Sequence, residues 1–208
     1  IFFNNIRGEK LFNYLKLKKY QVFPIITKKF LNRSTQKKIK KKNKYLFKKN
    51  LNNKNLFKFL NNQRFDLLIA AGFPHIFKKK YLKLGKFGII NLHAGKLPKY
   101  RGGSPLNWQI INNEKKIGLS IIKLDSKIDQ GPIICEKSFI NSKNDHIFNI
   151  HKKANQLFLK MTIKSIRILE QNKKLKKQKT SKSYFKQRSD KDGKINFNDK
   201  AKNIYNFV

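Results

Sequence analysis

The stretch "FGIINLHAGKLPKYRGGSPLNW", Phe87 to Trp108, joins an apolar run of strand character to a loop rich in Pro, Gly and basic residues. The apolar run ends on Asn91 and His93. Because side chains alternate between the two faces of a strand, these two side chains point the same way. Two polar groups on one face at a strand end are hard to explain by packing, so we predict a functional site here.

On both sides of this stretch, apolar strand-like runs alternate with helical patterns. We predict strands in "IFFNN", "YQVFPIIT", "DLLIAAG", "FGIINLH", "IGLSIIKL" and "PIICEKSFI", and helices in "EKLFNYLKL", "NLFKFLNNQRF", "FKKKYLKL", "SPLNWQIINN" and residues 145–171. Ser104 is the expected N-cap of its helix, with Pro105 at the first helical position. The alternation indicates an open α/β sheet with helices on both faces, which binds ligands outside the carboxyl ends of its strands.

The composition is strongly basic. The 208-residue chain has a formal net charge of +39, and no Asp or Glu occurs between Leu11 and Phe65. Such a surface attracts polyanions, including nucleic acid, acidic lipid and phosphorylated substrates. An AT-rich coding bias would also enrich Lys, Asn, Ile and Phe together, so charge alone does not choose between these readings. The Lys-rich segment Arg33 to Lys49 is expected to be a solvated loop or loose helix, with an RNA-binding arm as the alternative.

Other features limit the class of protein. A hydrophobic fraction of 39% is enough for a packed core. The single cysteine, Cys135, lies in an apolar run and suits a reducing cytoplasm. We find no signal peptide and no apolar run long enough to cross a bilayer. Because the sequence starts without Met and ends within an apolar pattern, we expect it to be cut at both ends.

The side chains at the strand end suggest a chemistry. An amide and an imidazole can each donate a hydrogen bond to an oxygen that gains negative charge. The imidazole needs a carboxylate to orient it or keep it protonated, and either Asp125 or Asp129 in "LDSKIDQGPII" could serve. A metal site is not expected, because the four histidines lack paired ligand spacing and Cys135 has no partner.

Three motifs together resemble the 10-formyltetrahydrofolate-dependent formyltransferases, a family that includes methionyl-tRNA, sugar-nucleotide and glycinamide ribonucleotide enzymes. They are Asn91-x-His93, the loop "LPKYRG" from Leu97 to Gly102, and Asp129-x-Gly131. The resemblance selects Asp129 over Asp125 as the carboxylate. It covers most of the chain and implies a Rossmann-like, mostly parallel twisted sheet. The departures are Gly95-Lys96 where the family more often has Ser-Leu, Asn113 where Gly is commoner, and Gln130 where a small residue is usual.

The resemblance implies formyl transfer from 10-formyltetrahydrofolate to a primary amine, without a metal. Methionyl-tRNA is the expected acceptor and an amino-sugar nucleotide the alternative, which Trp108 in "SPLNWQIIN" favours. Hydrolysis of formyltetrahydrofolate and a non-catalytic nucleic-acid-binding module are the further alternatives. The implied location is cytoplasmic.

The resemblance also implies roles for individual residues and a division of the chain. Asn91, His93 and Asp129 are the expected catalytic residues. The expected folate-binding residues are Ala70, Ala71, Gly72, Phe73, Pro74, Ile76, Leu97, Asp125 and Gly131, and the expected acceptor-side residues are Arg101, Gly102 and Gly103. For Arg101 and Gly102 a structural turn is an equal alternative. Residues 1–180 are expected to form the catalytic domain, and residues 181–208 the joint and the start of a C-terminal domain.

Overall fold

The structure, a computed structural model, describes residues 1–27, 45–47 and 54–208. Its helices are α1 Ile6–Leu17, α2 Lys54–Asn62, α3 Lys79–Leu82, α4 Pro105–Ile111, α5 Ile147–Glu170 and α6 Ala201–Phe207, with a 3₁₀ turn at Asp190–Gly193. Its strands are β1 Ile25–Thr27, β2 Tyr45–Phe47, β3 Leu68–Ala70, β4 Ile89–His93, β5 Lys116–Lys123 and β6 Ile133–Ile140. No helix in the described ranges is both long and apolar enough to cross a membrane.

The sheet is mixed. Strands β3, β4, β5 and β6 are neighbours in that order, and β1 pairs with β2. Phe2 joins the two parts, because it forms parallel bridges with both Ile25 and Ala70. Strands β1 and β2 are parallel to each other, and so are β3 and β4. Strand β5 is antiparallel to both of its neighbours, β4 and β6. A short loop can join β5 directly to β6 only because these two strands are antiparallel.

Helices cover both faces of this sheet. Consecutive strand residues point to opposite faces, and on each face they pack with helix residues in a buried cluster. One cluster holds Ile25, Leu68 and Ile89 with Leu56 and Leu60 of α2 and Tyr81 of α3. The other holds Ile26, Ile69 and Ile90 with Leu11 and Leu15 of α1 and Phe158 and Met161 of α5. The predicted open α/β sheet with helices on both faces is therefore confirmed.

Some local predictions differ from the structure, among them those for Ser104 and for the run "YQVFPIIT". Ser104 precedes α4 as expected, but it has a left-handed backbone (φ 45°) and makes no side-chain capping bond. Its hydroxyl instead accepts from Arg188 N at 3.0 Å and from Gln187 Nε2 at 2.7 Å. Strand β1 takes up only the end of "YQVFPIIT". The expectation for Arg33 to Lys49 falls, apart from the backbone of Tyr45–Phe47, outside the described residues.

Candidate active site

Strand β4 places Asn91 and His93 together at the carboxyl edge of the parallel part of the sheet. In the antiparallel register Asn91 lies opposite Ile122, and His93 lies opposite Ser120. Both belong to the face of the sheet that carries α2 and α3, since Ile89 at the start of the strand packs in that cluster. His93 is buried, with 5% of its surface exposed. The alternation predicted from the sequence thus puts both groups on one face.

Asp129 comes to the same place from the loop between β5 and β6. Its Oδ2 lies 3.5 Å from His93 Nδ1 and accepts from Gly102 N at 3.0 Å. Its Oδ1 lies 3.5 Å from Asn91 Nδ2. Asp129 as a whole residue is 8% exposed, and it has a left-handed backbone (φ 51°). Asp125, the competing carboxylate, is exposed and accepts from Lys127 N in its own loop.

The imidazole of His93 lies between two acceptors. Its Nε2 is 2.5 Å from the carbonyl oxygen of Tyr100, and its Nδ1 faces Asp129. A carbonyl and a carboxylate can both be satisfied only when both ring nitrogens carry hydrogen. A ring with hydrogen on both nitrogens is cationic. A hydrogen bond from Nε2 to a substrate oxygen would have to be shared with, or taken from, the Tyr100 carbonyl.

Two buried polar side chains, Ser120 and Gln109, form hydrogen bonds to the first residues of the loop that supplies this carbonyl. Ser120 Oγ donates to Gly95 O at 2.8 Å and accepts from Leu97 N at 3.2 Å. Gln109, fully buried on α4, donates through Nε2 to Ala94 O at 3.1 Å. Sequence reasoning missed both residues. The available signal was a single polar side chain inside each apolar run, "GLSII" and "WQII".

The side chain of Tyr100 is anchored by an ion pair at the surface. Glu114 Oε1 accepts from Lys99 Nζ and from Tyr100 Oη, each at 2.6 Å. The hydrogen bond from Lys99, followed by the one from Tyr100, lowers the pKa of the Glu114 carboxyl. Burial, followed by the bond to Glu114, raises the pKa of the Tyr100 phenol. The phenol thus stays protonated at neutral pH and donates to this carboxylate.

The expected acceptor-side residues Arg101, Gly102 and Gly103 all make structural contacts. Arg101 is 7% exposed, and its Nε donates to Ser183 O at 3.3 Å. Gly103 N donates to Phe185 O at 2.8 Å, and Gly102 N donates to Asp129. These contacts support the structural interpretation of the loop; the proposed acceptor-side role stays a prediction.

The expected folate-binding residues lie at the end of β3 and in the loop after it, in the loop between β5 and β6, and at one core position. Ala70 pairs with Asn91 across β3 and β4, so the loop after β3 starts at the site. Ala70 and Ala71 are buried, whereas Pro74 and Ile76 are exposed. Between them, Gly72 has a left-handed backbone (φ 66°), and the ring of Phe73 packs on those of Phe2 and Phe77. Leu97 packs in the core with Ile122 and Ile133, Asp125 is exposed, and Gly131 is buried. These positions offer backbone groups and exposed apolar surface, and their role in binding folate stays a prediction.

Two further observations concern a cavity outside the site and the metal ligands of the described residues. A cavity of about 790 Å³ lies at the opposite edge of the sheet, lined by residues that include Tyr20, Phe65 and Phe87, and it shares no residue with the site. Within the described part of the chain, no three His, Cys, Asp or Glu residues are grouped closely enough to hold a metal ion.

A family model described as "Formyl transferase" matches residues 18–165. The bifunctional polymyxin resistance protein ArnA of Wigglesworthia glossinidia brevipalpis is 34% identical over 181 residues, covering 86% of this chain and 28% of that protein. The methionyl-tRNA formyltransferase of Thermodesulfovibrio yellowstonii is 34% identical over 148 residues, covering 71% of this chain and 47% of that enzyme.

A similar fold occurs in the N-formyltransferase of Helicobacter canadensis, solved in complex with folinic acid and dTDP-3-aminofucose. That structure superimposes with a TM-score of 0.75 at 22% identity and covers all of this chain and 77% of its own. At this identity the likeness establishes the fold.

Proposed function

Since this chain belongs to the formyl transferase family, we propose that it transfers a formyl group from 10-formyltetrahydrofolate to a primary amine. The observation that carries the proposal is the meeting of Asn91, His93 and Asp129 at the carboxyl edge of the sheet. The chain spans about half the length of the methionyl-tRNA formyltransferase it matches. Activity, substrates and partners of the whole protein therefore belong to the proposal.

In the proposed reaction, the bound folate supplies a formyl carbon that an unprotonated amine attacks. Asn91 Nδ2 donates to the formyl oxygen as negative charge develops on it, and the cationic His93 adds a second favourable charge. The contact from Asn91 Nδ2 to Asp129 is long, at 3.5 Å, so this amide has donor capacity for the substrate. Asp129 holds the imidazole of His93 in place and can accept the proton that the amine loses. When the intermediate collapses, the bond between the formyl carbon and the folate nitrogen breaks, that nitrogen takes up the proton, and tetrahydrofolate leaves.

The surroundings of the three residues fit a folate. Ile76 is 73% exposed in the loop after β3, and Ile128 is 44% exposed directly before Asp129. Apolar surface beside backbone donors and acceptors suits a flat, polar-edged pteridine ring. We propose that the ring lies between the loop from Ala70 to Ile76 and the loop from Asp125 to Gly131.

We propose methionyl-tRNA as the acceptor, because the chain carries a net charge of +39 and a transfer RNA is a polyanion. An amino-sugar nucleotide is the second candidate. It is favoured by the run "SPLNWQIIN", with Trp108, which resembles the sugar-nucleotide branch of the family more than the methionyl-tRNA enzymes. A cytoplasmic location is part of the proposal, since Cys135 is a free, buried thiol.

The proposal is tested by a formylation assay with 10-formyltetrahydrofolate, offering methionyl-tRNA and amino-sugar nucleotides in parallel. Asn91→Ala should lower kcat about 10²–10³-fold through loss of one oxyanion donor. Asn61→Ala, at an exposed position of α2, is the matched control and should turn over normally. Tetrahydrofolate release without any amine would point to the hydrolase instead. Wild-type turnover by Asn91→Ala would refute the mechanism.

A further inference from the structure

A segment beyond the matched family region contacts both loops of the site. We call residues 176–188 the C-terminal strap; the family model ends at residue 165. The strap starts as an antiparallel bridge between Lys176 and Ile133 of β6. It then passes the Asp129 loop and runs along the loop from Pro98 to Ser104, where Phe185 stacks on Tyr100 with ring centroids 5.1 Å apart.

Within the strap, Gln178 holds the loop of the candidate catalytic carboxylate. Its Nε2 donates to Asp129 O at 2.9 Å and to Gly131 O at 2.7 Å. One amide group thus spans a turn in which Asp129 has a left-handed backbone (φ 51°), a conformation that is uncommon for residues other than glycine.

The orientation of the Gln178 amide depends on these two bonds. Its Oε1 is buried and has no hydrogen-bond partner in the described part of the chain. Turning the amide over would place an oxygen against two carbonyl oxygens, so the observed orientation is fixed by Asp129 and Gly131. The side chain therefore acts as a clamp on this turn through its two hydrogen bonds, to Asp129 O and to Gly131 O.

Resting on the proposed formyl transfer, we propose that Gln178 is a positioning residue that sets the Asp129 carboxylate against His93. The His93 Nδ1 to Asp129 Oδ2 distance is already 3.5 Å, so a small outward movement of the turn would break the contact. Gln178 does not touch the predicted reacting groups, and its effect passes through Asp129.

The test uses three variants of the whole chain. Gln178→Ala removes both donors, and Gln178→Glu keeps the side-chain length but places a carboxylate against two carbonyls. Gln187→Ala is the matched control in the same strap, because Gln187 bonds Ser104 and leaves the Asp129 turn untouched. Both Gln178 variants should lose about 10-fold or more in kcat with KM within 2-fold, as expected for a displaced group that acts only in the transition state.

A purely structural role would give a different result in two measurements. In an Asp129→Asn background Gln178→Ala should have almost no further effect on kcat, because both changes act on the same group. Hydrogen–deuterium exchange of the peptide 124–133 should rise in Gln178→Ala but not in Gln187→Ala. Additive losses in the double variant, or unchanged exchange with normal turnover in Gln178→Ala, would overturn the proposal.

The exchange measurement also separates this proposal from the proposed function. If the wild-type chain transfers no formyl group, the function fails, while increased exchange in Gln178→Ala would still establish the clamp. If the wild type is active and Gln178→Ala matches it in rate and exchange, only the positioning role fails. Melting temperatures equal to that of Gln187→Ala would exclude global unfolding as the cause.

Discussion

At the scale of single residues, Gly95 makes room for the contact between His93 and Tyr100. A Cβ added at Gly95 would lie 2.6 Å from His93 Nε2 and 2.6 Å from Tyr100 O, closer than nonbonded atoms can approach. The family more often has Ser at this position, but with the backbone of this chain we expect Gly95→Ala to push the ring and the carbonyl apart. Overpacking of this kind costs about 1–3 kcal/mol in unfolding free energy. A displacement near 1 Å would lower kcat by up to ~10²-fold.

The matched control for this prediction is Gly193→Ala. Gly193 ends the 3₁₀ turn, and a Cβ there would have no atom within 4 Å. Denaturant unfolding and steady-state formylation should therefore match the wild type in this variant. Equal kinetics for Gly95→Ala and Gly193→Ala would show that the His93 contact with Tyr100 does not matter for turnover.

The parts of the site differ in how far the sequence determines them. Asn91 and His93 could be placed on one face because a strand repeats every two residues, whatever surrounds it. Asp129 and Asp125 could not be separated by spacing, because the turn between β5 and β6 decides which carboxylate points inward. The carbonyl of Tyr100 has no signature at all, since every residue carries one. Gln178 lies 49 positions from Asp129, so only the folded chain brings them together.

At the scale of elements, α4 is fastened to the sheet through Gln109. Its Oε1 accepts from Gly118 N at 2.7 Å, and its Nε2 donates to Gly118 O at 3.2 Å and to Ala94 O at 3.1 Å. Gln109→Ala would leave the buried Gly118 N without this acceptor and the Ala94 carbonyl without this donor. Each orphaned group costs about 1–3 kcal/mol, so we expect the free energy of unfolding to fall by about 2–4 kcal/mol.

Urea unfolding followed by circular dichroism measures this loss. Gln171→Ala, at the exposed end of α5, is the control and should change stability by less than about 0.5 kcal/mol. A loss of that small size for Gln109→Ala would mean that water or a rearranged loop satisfies these groups.

The elements themselves followed from the sequence wherever local and long-range signals agreed. The helix expected over residues 145–171 forms as α5 Ile147–Glu170, because its apolar spacing matches the face that packs on the sheet. The reversal of β5 was not predicted, since an apolar strand buried on both faces has the same pattern in either direction. The predicted capping bond of Ser104 is wrong because its hydroxyl accepts hydrogen bonds from Gln187 and Arg188, which are far along the chain.

At the scale of the whole molecule, the C-terminal strap is hydrogen-bonded to the loop from Pro98 to Ser104. Hydrogen bonds from Ser183 Oγ to Lys99 O and from Phe185 N to Arg101 O lie beyond the domain boundary expected at residue 180. That boundary stays a prediction. Because of these contacts, we expect a variant that ends near residue 180 to lose hydrogen bonds that hold the loop beside His93.

The net charge of +39 can be tested as a functional property through its dependence on salt. If the surface binds the acceptor arm of a transfer RNA through six to ten phosphates, affinity should fall by about 10³–10⁵ between 50 and 200 mM salt. An amino-sugar nucleotide with its few phosphates should lose no more than about 10-fold over the same range. Both salt dependences are measured as the slope of log affinity against log salt concentration, from fluorescence titrations with unreactive acceptor analogues. A shallow slope for methionyl-tRNA, together with productive turnover of an amino-sugar nucleotide, would reverse the choice of acceptor. It would also leave coding bias as the better account of the lysines, because a charge that formed many phosphate contacts must release counterions when the RNA binds.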